Sequence, residues 1–249
     1  MPWPSLAALG RSFDGPYFAL FPAPFTEHFQ RTLAHGHCVA VRLPDFRQVS
    51  HLSLDCVPED EQRLASTFGL RRQITFVGGR LALREGLRHY QVSPTGILAT
   101  DRGAPLLPFG LRGSISHKDS LAVALVQPDQ GWHVGIDIEF LKMPKTEIAS
   151  DILTPRELDE YTREEDSHKT FALMARFSLK EALYKALDPF VRRYVGFEEV
   201  DVTLNDDGRA SAALSLVQGE GPFESELHWF TFDDMILSTA RVRKASNSG

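Results

Sequence analysis

Gly135-Ile136-Asp137-Ile138-Glu139, followed further along the chain by Phe177-Ser178-Leu179-Lys180-Glu181-Ala182-Leu183-Tyr184-Lys185, decides how this sequence reads. The first stretch alternates apolar and acidic residues, the pattern of a strand whose side chains point to opposite faces in turn. Ile136 and Ile138 are therefore expected in a core, with Asp137 and Glu139 together on one exposed spot. The second stretch has helical spacing, which stacks Glu181 and Lys185 on one helix face. Three carboxylates and a cation suit a divalent metal ion held beside a phosphate. Each half alone has an ordinary reading. An Asp-x-Glu pair often marks the solvent face of an antiparallel strand, and Glu before Lys at this spacing is a surface pair contributing about 0.2–0.5 kcal/mol. Their combination in one chain, with Gly113-Ser114-Ile115-Ser116-His117 upstream, favours a site.

The order Gly-x-x-Ser-His, then Gly-Ile-Asp-Ile-Glu, then Phe-x-x-Lys-Glu-Ala-x-x-Lys resembles the phosphopantetheinyl transferases of the large, monomeric surfactin-type and enterobactin-type class. The resemblance covers roughly residues 70 to 200. Two further runs, Arg71 to Arg80 and Gly103 to Gly110, are similar to the enterobactin-type branch. The aromatic that opens the helix motif is often Trp in that family and is Phe177 here, which keeps a large planar residue.

Bulk properties narrow the alternatives. A chain of 249 residues with 43% hydrophobic content can bury one large core or two modest ones. Cys38 and Cys56 have no metal-ligand spacing and form no paired framework, which suits a reducing compartment. No signal-like start or membrane-spanning apolar run is visible, so the expected location is the cytoplasm. With 33 acidic against 27 basic residues and a net charge of −6, the composition argues against a general nucleic-acid surface. Positive charge is local instead. Arg80, Arg84 and Arg88 recur along one side of an expected helix, with Arg71 and Arg72 just before it. For Arg84 and Arg88 a solvated face explains the row equally well.

Read coarsely, the chain repeats one plan. Cys38 to Arg42 alternates like a strand and leads through Pro58-Glu59-Asp60-Glu61 to a helix containing Arg63 and Leu64, and then to the Arg80 helix. Val134 to Phe140 begins the second half. Thr154-Pro155-Arg156-Glu157 then forms a capping box, ahead of a helix through Leu158 and Tyr161 and the Glu181 helix. Strands are expected at Ser120 to Val126, Val200 to Leu204, Ala212 to Val217 and Leu227 to Phe232, with Asn205-Asp206-Asp207-Gly208 as a hairpin turn. Residues 141 to 170 are expected to form a loop or short helix over the site, and the ends, to about residue 12 and from about Lys244, to fray. Pro16 to Phe25 suits core and turns better than a docking patch. The expectation is an α+β pseudo-dimer: an N-terminal subdomain, 1–126, contacting coenzyme A phosphates, and a C-terminal one, 127–249, carrying the carboxylates. The resemblance puts the active site in the cleft between them, and a built-in pseudo-dimer makes a monomer the simpler expectation.

The reaction the resemblance implies moves the phosphopantetheine arm of coenzyme A onto a serine of an acyl or peptidyl carrier protein of fatty-acid, polyketide or nonribosomal peptide pathways, releasing adenosine 3′,5′-bisphosphate. Phosphoryl transfer of this kind depends on positioning and on neutralising oxygen charge, for which Mg2+ is the natural agent. By resemblance Asp137, Glu139 and Glu181 hold the metal, Glu181 is the candidate base, and Lys185 lies near the pyrophosphate. Lys180, about 100° round the helix from Glu181, is left for another contact or the surface. Arg72 and Arg80 are assigned to the 3′-phosphate, Ser116 and His117 to a phosphate, and Arg102 to the nucleotide region. Gly110 and Gly113 are read as turn residues. Two other readings compete: a magnesium-dependent nucleotide phosphohydrolase using the same carboxylates, and a silent coenzyme A or carrier-binding module.

Overall fold

The computed structural model describes residues 21–246. The chain divides into two compact units that meet in sequence at Gln130 and Gly131. In the first, β1 (Thr26–Leu33) and β2 (Gly36–Arg42) precede α1 (Glu59–Ala65) and α2 (Leu70–His89), and β3 (Leu111–Lys118) and β4 (Leu121–Pro128) complete a sheet. Its strands are ordered β1-β2-β4-β3, each neighbouring pair antiparallel. Val39 and Val41 of β2, Ala124 and Val126 of β4, and Ile74, Val77 and Leu81 of α2 share one apolar core. Each such fully buried branched side chain contributes about 1.5–3 kcal/mol over an exposed one.

The second unit opens with β5 (His133–Phe140), then α3 (Ala149–Ile152), α4 (Pro155–Arg163) and α5 (Asp166–Val191). A 3-10 turn at Phe197–Glu199 leads into β6 (Val200–Leu204), β7 (Arg209–Leu214), β8 (Phe223–Phe232) and β9 (Met235–Lys244). The sheet order is β5-β9-β8-β7-β6. Leu179, Leu183 and Ala186 of α5 pack with Trp229, Ile236 and Ala240 beneath them. Both units are thus α+β, each laying one long helix on an antiparallel sheet, and both run strand, short helix, long helix, strands. Their strand orders differ, because β2 is flanked on both sides whereas β5 pairs only with β9.

Local sequence signals succeed where chemistry is short-range. Thr154 Oγ1 accepts the Glu157 amide at 3.2 Å and Glu157 Oε2 accepts the Thr154 amide at 2.8 Å, with Pro155 opening the helix. The turn at 205–208 joins β6 to β7, with Gly208 at φ +83°. Strand limits shift where side chains capture the backbone. β7 ends at Leu214 rather than reaching Val217, because the Glu199 carbonyl takes the Ser215 amide and its carboxylate takes the Val217 amide, both at 2.8 Å.

Other expectations need correction. Gly113 is not a turn residue: it lies within β3, where a Cβ would stand 2.8 Å from the Leu125 carbonyl oxygen, while Gly110 (φ +87°) does make the turn. Arg71 and Arg72 belong to the first turn of α2 itself. Arg84 is no solvated-face residue: its guanidinium grips the fully buried Glu61 carboxylate at 2.5 and 2.8 Å. Arg88 is exposed and pairs with Glu85. Residues 141 to 170 hold α3, α4 and the first residues of α5. Lys244 closes a β-ladder opposite Phe223 rather than fraying. The expectation for residues up to about 12 lies outside the described residues, as does most of Pro16 to Phe25, of which Phe25 is core. Among the described residues no helix is long and apolar enough to cross a membrane.

Candidate functional site

Gly135, Asp137 and Glu139 occupy alternate positions of β5, and their face is the one that meets α5. A Cβ on Gly135 would lie 1.8 Å from the Ala182 carbonyl oxygen, so only glycine lets the helix approach this closely. The Asp137 half of the expected exposed spot is therefore buried. Asp137 is 4% exposed, and the Ile136 and Ile138 side chains are buried on the opposite face. Ser178, Glu181, Ala182 and Lys185 recur at three- and four-residue steps of α5 and line one stripe of it. Ser178 Oγ donates to Asp137 Oδ2 at 2.9 Å, and Lys185 Nζ donates to Asp137 Oδ1 at 2.9 Å and to the Ile136 carbonyl at 2.8 Å. Burial first, and then the negative charge of Asp137, push the Glu181 carboxyl above the usual carboxylate range, with Lys185 opposing.

Oxygen donors of this kind suit a hard cation such as Mg2+, which typically takes one or two carboxylates together with waters and substrate phosphates. Asp137 and Glu181, whose charges meet, fit that requirement. Among the described residues no group of three His, Cys, Asp or Glu side chains is set to hold a metal ion. Glu139, opposite Ile236, sits two strand positions beyond Asp137, roughly 7 Å along the chain.

Lys180 is neither exposed nor on this stripe. Its ammonium and the Glu157 carboxylate are both 0% exposed and 2.7 Å apart, and Lys180 also donates to the Ile152 carbonyl at 2.8 Å and the Phe197 carbonyl at 3.0 Å. Burial holds its pKa below the ordinary lysine value, against the pull of Glu157. Glu157 Oε1 further accepts the Val202 amide at 2.6 Å. The pair fastens α4, α5, the 3-10 turn and β6 together.

In the first unit a cavity of about 500 Å³ opens at the start of α2, lined by Leu70, Arg71, Arg72, Thr75, His117 and Asp119 with Gly69. Gly69 caps the helix without a side-chain bond, so the first-turn amides and the helix dipole favour negative charge at this end. Arg72 Nη1 donates to His117 Nε2 at 2.9 Å, and Arg71 pairs with Asp119 at 3.1 Å. Arg80 is elsewhere. It is buried, donates from Nε to the Ile97 carbonyl at 2.8 Å and stacks over Phe76, and desolvation lowers its pKa to about 10. Ser116 alternates with His117 along β3 and faces away from Arg72's partner, while Arg102 is exposed in the tight turn bounded by the Gly103 amide and Thr100 carbonyl at 3.0 Å. Sequence reasoning missed the bond from Ser178 to Asp137, the pairing of Glu157 with Lys180, and the α2 amides. The spacing of Ser178, three before Glu181 and seven before Lys185, was the signal for the first of these.

The 4′-phosphopantetheinyl transferase superfamily model matches residues 133–240, and the model of the 4′-phosphopantetheinyl transferase N-terminal domain matches residues 60–127. Enterobactin synthase component D of Salmonella typhimurium is 33% identical over 226 residues, 88% of this chain and 88% of that protein. The chain belongs to the 4′-phosphopantetheinyl transferase superfamily. The transferase is also 34% identical over 173 residues to the 4′-phosphopantetheinyl transferase Npt of Nocardia iowensis, covering 68% of this chain and 73% of that one. The superfamily match of the transferase takes in β5 and α5, and the N-terminal match takes in α2 and β3.

Proposed function

We propose that the transferase moves the phosphopantetheine arm of coenzyme A onto a serine hydroxyl of an acyl or peptidyl carrier protein, with adenosine 3′,5′-bisphosphate leaving. The observation that carries the site assignment is the meeting of β5 and α5, where Asp137, Ser178 and Lys185 are bonded beside a Glu181 of raised basicity. Glu181 takes the proton of the attacking serine. Lys185 spends two of its three N–H donors on β5, and the third goes to a pyrophosphate oxygen. A magnesium ion, when bound by Asp137 and Glu181, supplies charge neutralisation at the pyrophosphate. Glu139, further along the same strand face, would be the third carboxylate available to hold that ion.

A phosphate of coenzyme A occupies the cavity at the start of α2, held by Arg72, by the first-turn amides and by His117. Arg102 contributes from its turn to the nucleotide region. The Arg80 head is committed to Ile97 and Phe76, so in this proposal Arg72 carries the phosphate contact and Arg80 supports its helix. Both halves of the plan lie in one chain, which works as a monomer. The free thiols of Cys38 and Cys56 suit the cytoplasm.

Product stoichiometry tests this reading. Incubation with coenzyme A, Mg2+ and an apo carrier is expected to release one adenosine 3′,5′-bisphosphate for each carrier modified, and none without carrier. Release of phosphate or bisphosphate from coenzyme A alone would instead mark a hydrolase.

A further inference from the structure

We infer that Ser178 is a positioning residue that fixes the Asp137 carboxylate for a divalent cation. The inference rests on the metal assignment proposed above and adds a residue to it. Asp137 is a short side chain on a strand, and its carboxylate could rotate between its two neighbours on α5. It does not, because each oxygen is held from a different turn of the helix: Oδ2 by Ser178 Oγ at 2.9 Å and Oδ1 by Lys185 Nζ at 2.9 Å. The two donors are seven residues apart on α5, and Glu181 lies between them. The hydroxyl therefore fixes the orientation of the Asp137 carboxylate from the turn of α5 that precedes Glu181.

Ser178 is 0% exposed and Asp137 only 4%, so water cannot readily replace the bond. Ser178 would act through the Asp137 carboxylate rather than as a ligand of the ion. An outer partner of this kind orients the ligand, and its removal typically weakens metal affinity by about 10- to 100-fold. Lys185 alone does not substitute for it, since its ammonium is shared with the Ile136 carbonyl and its side chain is 31% exposed.

A control lies on the neighbouring strand. Ser238 of β9 is directly opposite Asp137 and equally buried, yet its hydroxyl has no hydrogen-bond partner. Removing that hydroxyl perturbs the same sheet without touching the carboxylate.

The test is Mn2+ binding to the full chain, read by electron paramagnetic resonance without coenzyme A or carrier, for the wild type and for Ser178→Ala, Ser238→Ala and Asp137→Ala. Ser178→Ala is expected to raise the Mn2+ dissociation constant about tenfold or more, Ser238→Ala to leave it unchanged, and Asp137→Ala to abolish binding. In turnover, Ser178→Ala should need more Mg2+ for half-maximal rate yet approach the wild-type kcat when the metal is saturating. If Asp137→Ala loses Mn2+ and Ser178→Ala binds it normally, the positioning role is overturned while the metal assignment stands. If Asp137→Ala binds Mn2+ as the wild type does, the metal assignment itself fails and takes the inference with it. Equal weakening in Ser178→Ala and Ser238→Ala would mean general loosening and would also overturn it.

Discussion

Replacing Lys180 with Met should unfold the second unit far more readily than it should alter substrate affinity. Methionine keeps the length and apolar stem of the side chain and removes the ammonium, so packing is nearly conserved. Three acceptors lose their donor: Glu157 Oε2 and the carbonyls of Ile152 and Phe197. Glu157, 0% exposed, would be left with only the backbone amides of Thr154 and Val202 as partners. Breaking one side of a buried ion pair costs about 3–5 kcal/mol. In a protein of this size that corresponds to a fall in Tm of roughly 6–20 °C. Guanidinium denaturation followed by circular dichroism measures the loss. The double variant Lys180→Met/Glu157→Gln should recover part of it, because the stranded carboxylate goes too. A loss below about 1 kcal/mol, the range of an exposed pair, would refute the reasoning. So would a stable Lys180→Met whose KM for coenzyme A alone had risen, since Lys180 would then touch substrate.

Glu181→Gln should stabilise the protein at neutral pH while abolishing turnover. The folded-state pKa of Glu181 is raised, so the folded protein favours the protonated acid and loses stability as pH rises through that pKa. Thermal melts at pH 7 and at pH 3 should show the gain at the first and little at the second. Gly135→Ala puts a methyl group into the Ala182 carbonyl and should force α5 off β5, seen as lost Mn2+ binding together with a lower Tm. Arg72→Ala should raise KM for coenzyme A by about tenfold or more through one lost charged phosphate contact, with kcat little changed. An unaltered KM would remove the α2 cavity from the proposal. His37 is held to a pKa of about 4 by burial and then by the neighbouring His89, so its ring should titrate near that pH by NMR, and a midpoint near 6.5 would contradict its burial.

How much of this was readable in the sequence depends on the range of the forces involved. The Thr154–Glu157 capping box, the 205–208 turn and the Glu181–Lys185 stripe are set by residues within four positions of one another, and all three were legible. β3 was not, because Gly113, Ser114, Ser116 and His117 mask the alternation of a strand whose pairing is decided by β4. The burial of Asp137 was hidden for the same reason. Alternation correctly placed it on the face opposite Ile136, but only the packing of α5, through Gly135 and Ala182, makes that face interior. Arg80 and Arg84 look alike at helical spacing, yet one stacks on Phe76 and the other grips Glu61 from α1, contacts that no local pattern encodes. Lys180 could be excluded from the Glu181 face by geometry, but its partner Glu157 lies on another helix.

The central claim, that the β5–α5 carboxylates perform the transfer, is tested most directly by the intact mass of an apo carrier protein after incubation with coenzyme A and Mg2+. The wild-type chain should add one phosphopantetheine arm, with the gain abolished by EDTA and by Asp137→Ala or Glu181→Gln in variants that remain folded. Undiminished modification by folded Glu181→Gln and Asp137→Ala would contradict it.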